Sequence, residues 1–241
     1  MAIDLLNIKP HVVSRDLSSY ITFIYGAPKT GKTTLSTQMP GALLLAFEKG
    51  YNLLPGVIPQ DVTSWGEMKQ IYRELKKPEV KERYKCIIID TVDYAADFCQ
   101  KYICSQLGIE NMGDGGWATN SWPKYKKEFE DVFRGLTMLG YSVFFISHET
   151  EVTEKDPRTG KEFSQKRPTV QSSALKIIEN MADIYGYAYQ DNNVETGEQS
   201  TKLMLRCNDM TVRCGCRAKY MPALIEFTYP SLVKALNDAI D

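Results

Sequence analysis

Residues 21–34 read ITFIYGAPKTGKTT. A β-branched and aromatic run, Ile21 to Tyr25, stops at Gly26. A loop holding a second glycine, Gly31, follows, and Lys32, Thr33 and Thr34 then open a helix-capable run over Leu35 to Gln38. The spacing Gly26-x-x-x-x-Gly31-Lys32-Thr33 is that of a P-loop, in which glycines let successive backbone N–H groups turn inward around a phosphate and the following helix adds its unpaired first donors. A strand before and a helix after are the context such a loop needs. Gly26, Ala27, Pro28, Lys29, Thr30, Gly31, Lys32, Thr33 and Thr34 are therefore expected to cradle a nucleoside triphosphate. Lys32 would reach the β- and γ-phosphates, and the Thr33 hydroxyl would ligate Mg²⁺.

Three further apolar runs end on a polar residue. ALLLAF (Ala42 to Phe47) is followed by Glu48, CIII (Cys86 to Ile89) by Asp90, and YSVFFIS (Tyr141 to Ser147) by His148. Continuous apolar runs suit strands buried on both faces of a parallel sheet, whose ligands lie at the carboxyl ends of the strands. Asp90 has the form of a Walker B aspartate that holds Mg²⁺ with Thr33. Glu48 is the candidate general base for an attacking water, and His148 is placed to sense the γ-phosphate. Arg217 and Lys219, near the last strands, are candidate cations for transferring charge, including on a neighbouring subunit's nucleotide.

Helical patterns separate these runs. Ser64 is an N-cap for a helix from Trp65 to about Lys76, with Glu67 at the capping-box position and Pro78 as its stop. Thr91 opens a helix to about Leu107, Pro123 one that closes at Gly140, and Val170 one to Met181; a last helix follows Pro230. Gly108 to Trp122 and Glu149 to Pro168 read as loops. Strands are expected at Asp183 to Gln190, Thr201 to Cys207 and Val212 to Cys216, with Asp191 to Ser200 a turn. Strand and helix alternate and then strands run together, so the fold class is α/β: a mostly parallel central sheet flanked by helices, with antiparallel strands towards the C-terminus. Residues 1–241 are expected to form a single domain, 1–20 being an irregular lead-in.

The composition is ordinary for a globular chain of 241 residues: 43% hydrophobic, 24% charged and a net charge of −1, which gives no global pull towards nucleic acid or membrane. The start MAIDLLNIKP is no signal peptide, and no run approaches the ~20 apolar residues of a membrane span, so a cytoplasmic location without membrane association is expected. The six cysteines include no Cys-x-x-Cys pair and read as free thiols in strands; Cys207, Cys214 and Cys216 are close enough in sequence to raise metal binding but lack a fourth ligand.

Taken together, GAPKTGKT (Gly26 to Thr33), AFEKG around Glu48, CIIID ending at Asp90, FFISH ending at His148 and RAK (Arg217 to Lys219) resemble the RecA-core ATPases. The likeness spans Ile21 to Phe227. It is greatest to the short phage-type AAA-family ATP-binding proteins related to RecA-like recombinases of the Sak group. That resemblance implies a RecA-like P-loop NTPase core using ATP and Mg²⁺, and an ATPase stimulated by single-stranded DNA in phage recombination, replication or repair. It also implies a homo-oligomeric ring or filament with ATP between subunits, a single-stranded-DNA-binding protein as a candidate partner, and the bacterial host cytoplasm as the location. Two DNA-facing loops are implied. The first, Gly108 to Trp122, offers Trp117 and Trp122 with Lys124, Tyr125, Lys126 and Lys127 beyond, suited to stacking bases and holding phosphates. The second, Glu149 to Pro168, offers Lys155, Arg158, Lys161, Lys166 and Arg167, offset by Glu149, Glu151, Glu154, Asp156 and Glu162. This chain departs from RecA in lacking its separate terminal domains and in carrying His148 where RecA has glutamine. Two other uses of the same loop are a small-molecule or nucleotide kinase, and a non-hydrolytic assembly or helicase-loader partner stabilised by ATP.

Overall fold

The computed structural model describes residues 9–192, 197 and 199–240. The first half runs β1 (Thr22–Gly26), α1 (Lys32–Ser36), β2 (Ala42–Ala46), β3 (Pro59–Asp61), α2 (Trp65–Glu74), α3 (Pro78–Arg83), β4 (Cys86–Asp90), α4 (Val92–Leu107), α5 (Gly116–Thr119) and α6 (Ser121–Met138). The second half runs β5 (Ser142–Ser147), β6 (Glu149–Lys155), β7 (Glu162–Pro168), α7 (Ser172–Met181), β8 (Ile184–Asn192), β9 (Gln199–Met204), β10 (Gly215–Cys216), β11 (Leu224–Glu226) and α8 (Tyr229–Ile240).

Among the described residues, nine strands form one sheet in the order β11-β9-β8-β1-β5-β4-β2-β3, with β10 pairing to β8 off that path. The six strands from β8 to β3 are mutually parallel, while β9, β10 and β11 pair antiparallel. The expected parallel sheet with a later antiparallel edge is thus the observed one. Both faces are covered, which explains the unbroken apolar runs: consecutive residues must be apolar when neither side meets water. Phe23, Tyr25, Leu45, Ile87, Ile89 and Phe145 pack on one face with Trp65 of α2, Ala95 of α4, Phe129 and Phe133 of α6, and Ile178 of α7. Ile24, Leu44, Ile88, Phe144 and Ile146 pack on the other with Leu35 of α1 and Leu232 and Leu236 of α8.

Several local expectations change. Glu149 to Pro168 is a β-hairpin, β6–β7, with seven paired positions from Glu149↔Pro168 to Lys155↔Glu162. Gly108 to Trp122 contains the one-turn α5 and the start of α6, which begins at Ser121 and not at Pro123. α1 is shorter than expected: Gln38 and Met39 bond back three residues, to Leu35 and Ser36, ahead of Pro40, so the helix tightens and stops. α2 ends at Glu74 and Pro78 starts α3, whose first turn tolerates the missing N–H. α7 starts at Ser172, not Val170. Strands extend into the expected turn as far as Asn192 and from Gln199, with residues 193–196 and 198 outside the described set. The expected strand Val212 to Cys216 shrinks to Gly215–Cys216. The lead-in contains a 3₁₀ turn, Leu17–Ser19, that buries Leu17 against the α8 face; residues 1–8 lie outside the described set. The Ser64 cap forms as expected, accepting from the Glu67 N–H at 3.2 Å, while the Glu67 carboxylate reaches one residue further back, to the Thr63 N–H at 2.7 Å.

Candidate functional site

Four adjacent parallel strands, in the order β1-β5-β4-β2, deliver their carboxyl ends to one edge. The register pairs Tyr25 with Ser147, Asp90 with Ile146, and Ala46 with Asp90. The residues just beyond those ends meet in a cleft of about 520 Å³ whose lining includes Lys29, Gly31, Lys32, Thr33, Glu48, Leu54, Asp90 and His148. The backbone of Glu48 is fixed there by Asp90, whose carbonyl accepts from the N–H groups of Phe47 at 2.7 Å and Glu48 at 3.3 Å.

The loop from β1 to α1 has the backbone its sequence demands. Gly31 has φ +89°, a conformation that disfavours a side chain, and Lys29 also lies in the left-handed region at φ +66°. Lys32 is buried, and its ammonium donates to the carbonyls of Gly26 at 2.8 Å and Ala27 at 2.7 Å. Burial lowers the Lys32 pKa, and the surrounding acids Asp90, Glu48, Glu149 and Asp93 act against that fall. The cation is held by neutral carbonyl dipoles in a field of carboxylates, ready to exchange them for an anion's oxygens.

Thr33 donates its hydroxyl to Asp90 Oδ2 at 2.7 Å. Burial pushes the Asp90 carboxyl up to about 6; the Thr33 hydrogen bond opposes this, Glu48 adds to it, and Lys32 and His148 oppose it. A hydroxyl and a carboxylate in contact are hard oxygen donors of the kind Mg²⁺ prefers, and a buried carboxylate that resists ionisation gains most from a cation.

His148 stands between two acids. Its Nε2 lies 3.6 Å from Glu48 Oε1 and its Nδ1 lies 3.5 Å from Asp93 Oδ2. Asp93, in the first turn of α4, also accepts from the His148 backbone N–H at 3.1 Å and from the Ser147 hydroxyl at 2.7 Å. The hydrogen bond to Asp93 raises the His148 pKa, burial lowers it, and Glu48 raises it further.

Other sequence candidates lie elsewhere. Arg217 is not brought to this cleft: its N–H bonds the Asp183 carbonyl at 2.9 Å, its guanidinium donates to the Asn180 carbonyl at 2.6 Å, and it pairs with Asp183 at 3.0 Å. It thus caps α7 beside the start of β8, at the end of the sheet opposite the P-loop, because Ile184 pairs with Thr22 and Ala188 with Gly26. Lys219 is exposed next to Tyr220, also outside the cleft lining. Trp117 is 100% exposed and Trp122 is 38% exposed, and Lys124 is exposed. Tyr125, grouped with them in the sequence, is fully buried and cannot stack on a base. In the hairpin, Lys155, Lys166 and Arg167 pair with Glu162, Glu149 and Glu154, leaving Arg158 and Lys161 in the turn at its exposed tip. The hairpin's base is tied to the sheet by the Tyr25 hydroxyl, which donates to the Lys166 carbonyl at 3.0 Å.

Cys99 and Cys104 lie in α4 and not in strands, Cys207 and Cys214 lie outside regular elements, and all the cysteines are free thiols. Among the described residues no group of three or more His, Cys, Asp or Glu side chains is arranged to hold a metal ion, and no helix is long and apolar enough to cross a membrane. Sequence reasoning missed Asp93, whose only signal was its position in the first turn after Asp90. It also missed Leu53 and Leu54, which form an apolar rim on the cleft.

A family profile described as an AAA domain matches residues 18–211. The SPbeta prophage-derived uncharacterized protein YorG of Bacillus subtilis (strain 168) is 31% identical over 247 residues, which cover 100% of this chain and 73% of that protein. Among solved structures, the KaiC-like protein PH0186 of Pyrococcus horikoshii OT3 is similar over 80% of each chain, with 14% identity and a TM-score of 0.42.

Proposed function

The chain belongs to the AAA-domain family, and from that premise we propose that it binds Mg²⁺-ATP and hydrolyses it while acting on single-stranded DNA in a phage recombination, replication or repair process. The observation that carries the ATPase reading is the convergence of Lys32, Thr33, Glu48, Asp90 and His148 on one cleft. The donor set fits the nucleotide: Lys32 and the loop N–H groups would hold the phosphates, and Thr33 with Asp90 would hold Mg²⁺. Bound there, the metal supplies charge neutralisation on the phosphate oxygens. The chain's own contributions follow from position. Lys32 releases the Gly26 and Ala27 carbonyls and donates to phosphate. Glu48, 32% exposed and aimed into the cleft, accepts a proton from the water that attacks the γ-phosphate. His148, touching Glu48, registers whether the terminal phosphate is there, and the β6–β7 hairpin that begins at the next residue carries that state outward.

The DNA reading is supported by fully exposed Trp117, partly exposed Trp122, the exposed Lys124, Lys126 and Lys127, and the Arg158 and Lys161 hairpin tip. A prophage-derived relative fits the same setting. An oligomer with ATP between subunits is supported by Leu53, 95% exposed on the rim of the cleft, where a neighbouring subunit would cover it. In such an assembly Arg217 and Lys219, outside their own chain's cleft, would face a neighbour. The test is ATP turnover with and without single-stranded DNA, alongside particle size with and without nucleotide. Turnover rising with DNA and an ATP-dependent increase in size are expected. Turnover indifferent to DNA, or DNA affinity indifferent to salt, would overturn the DNA part of the reading.

A further inference from the structure

Asp93, His148 and Glu48 form a continuous carboxylate–imidazole–carboxylate chain from the start of α4 into the cleft. We infer that Asp93 is a positioning residue for hydrolysis: it fixes the His148 ring so that Nε2 faces Glu48 and holds that carboxylate where it can take a proton from the attacking water. The inference rests on the ATPase reading above.

Asp93 is a fixed anchor. Its side chain is only 12% exposed and it accepts from the Ser147 hydroxyl and the His148 backbone N–H, which locks the end of β5 to the first turn of α4. A carboxylate oxygen held this way is an acceptor and calls for a proton on the ring nitrogen that faces it. That nitrogen is Nδ1, 3.5 Å away. The ring orientation is set by chemistry, because a flipped ring would turn carbon atoms towards both acids and lose both contacts. With Nδ1–H committed to Asp93, Nε2 faces Glu48 at 3.6 Å, and in the doubly protonated ring that the two flanking acids favour its N–H points at the Glu48 carboxylate. Glu48 is the loosest member of the chain, 32% exposed. Without His148 its side chain would sweep several rotamers, and only some of them point at the water site.

Two measurements test this. The chain has two histidines, His11 and His148, so ¹⁵N–¹H spectra of labelled imidazoles resolve which ring nitrogens carry protons with little overlap. In the wild type His148 should carry a proton on Nδ1 as well as on Nε2, and Asp93→Asn should change the Nδ1 signal while leaving His11 unmoved. An unprotonated Nδ1 in the wild type, or a His148 signal indifferent to Asp93→Asn, overturns the inference whether or not ATP is hydrolysed. In turnover assays Asp93→Asn should lower kcat by about tenfold or more with the KM for ATP within about twofold, because Asp93 touches no nucleotide. In a His148→Ala background the same substitution should cost less than about twofold more, the non-additivity expected of a residue acting through another. Additive losses, or an unchanged kcat, overturn the positioning role. A wild type that binds ATP yet releases no phosphate instead overturns the ATPase reading, and the imidazole spectra still report on the contact itself.

Discussion

The two glycines of the P-loop should fail for different reasons when replaced by alanine. A Cβ on Gly26 would stand 2.1 Å from the carbonyl oxygen of Ala188 and 3.0 Å from its carbon. Both are backbone atoms of β8, the strand that pairs with β1 from Thr22↔Ile184 to Gly26↔Ala188. No side chain can swing away, so the carboxyl end of that strand pair must open by roughly 1 Å, which adds an overpacking cost of about 1–3 kcal/mol and weakens one or two ladder hydrogen bonds at about 1 kcal/mol each. The expected loss is about 2–5 kcal/mol, or a Tm lower by about 5–15 °C for a chain of this size. A Cβ on Gly31 meets nothing within 4 Å, but the backbone there has φ +89°. Gly31→Ala therefore costs only left-handed strain, about 1–2 kcal/mol, and its main effect should be weaker ATP binding through a shifted loop. Urea and thermal unfolding of both variants without nucleotide, compared with the wild type, measure the difference. Gly26→Ala melting within about 2 °C of the wild type, or Gly31→Ala losing as much as Gly26→Ala, would show that the close approach of Gly26 to the Ala188 carbonyl does not limit stability.

Lys32→Ala should abolish binding of a fluorescent ATP analogue while leaving nucleotide-free stability equal or higher, since a buried ammonium hydrogen-bonded only to neutral oxygens, the Gly26 and Ala27 carbonyls and the Thr30 hydroxyl, is removed. Asp90→Asn should stabilise the protein in EDTA without nucleotide. Below about pH 4 the wild-type carboxyl is protonated folded and unfolded, whereas above about pH 6 the folded state must ionise it in a desolvated site, at a cost of about 3 kcal/mol. Wild-type stability should therefore fall through this group as pH rises from about 4 to 6, and the Asp90→Asn variant, melted alongside across the same range and at pH 8, should show no such fall. Trp117→Ala should leave the Tm unchanged, the ring being 100% exposed, and should weaken single-stranded DNA binding by about 5- to 100-fold in a titration at fixed salt.

What was legible in the sequence followed burial. The apolar runs ending at Gly26, Glu48, Asp90 and His148 are strands covered on both faces, as a parallel sheet with helices on either side requires, and their polar ends mark the edge where the cleft lies. The β6–β7 hairpin was illegible because both its faces meet solvent: Glu149–Lys155 carries charge on alternate and adjacent positions, leaving no period of two. α3 and β3 were missed for the same reason, six and three residues with no buried hydrophobic among them. Arg217 looked like a free cation because its partners, the end of α7 and Asp183, become neighbours only when β10 folds back antiparallel on β8. Tyr125 looked available for stacking beside Trp122, yet the helical turn between them sends the tyrosine inward beneath the tryptophan, their rings 6.1 Å apart and nearly perpendicular. Asp93 was visible as a first-turn acid, but its three contacts to Ser147 and His148 depend on β5 lying beside β4, a pairing that sequence order does not reveal.

The most direct test of the central claim follows the γ-phosphate of labelled ATP incubated with Mg²⁺ and the purified wild-type chain. If Lys32, Thr33, Glu48, Asp90 and His148 act as one hydrolytic site, the label appears as free inorganic phosphate, and Glu48→Gln retains ATP binding but releases almost none. Label transferred to an acceptor molecule, or release by Glu48→Gln at the wild-type rate, would contradict it.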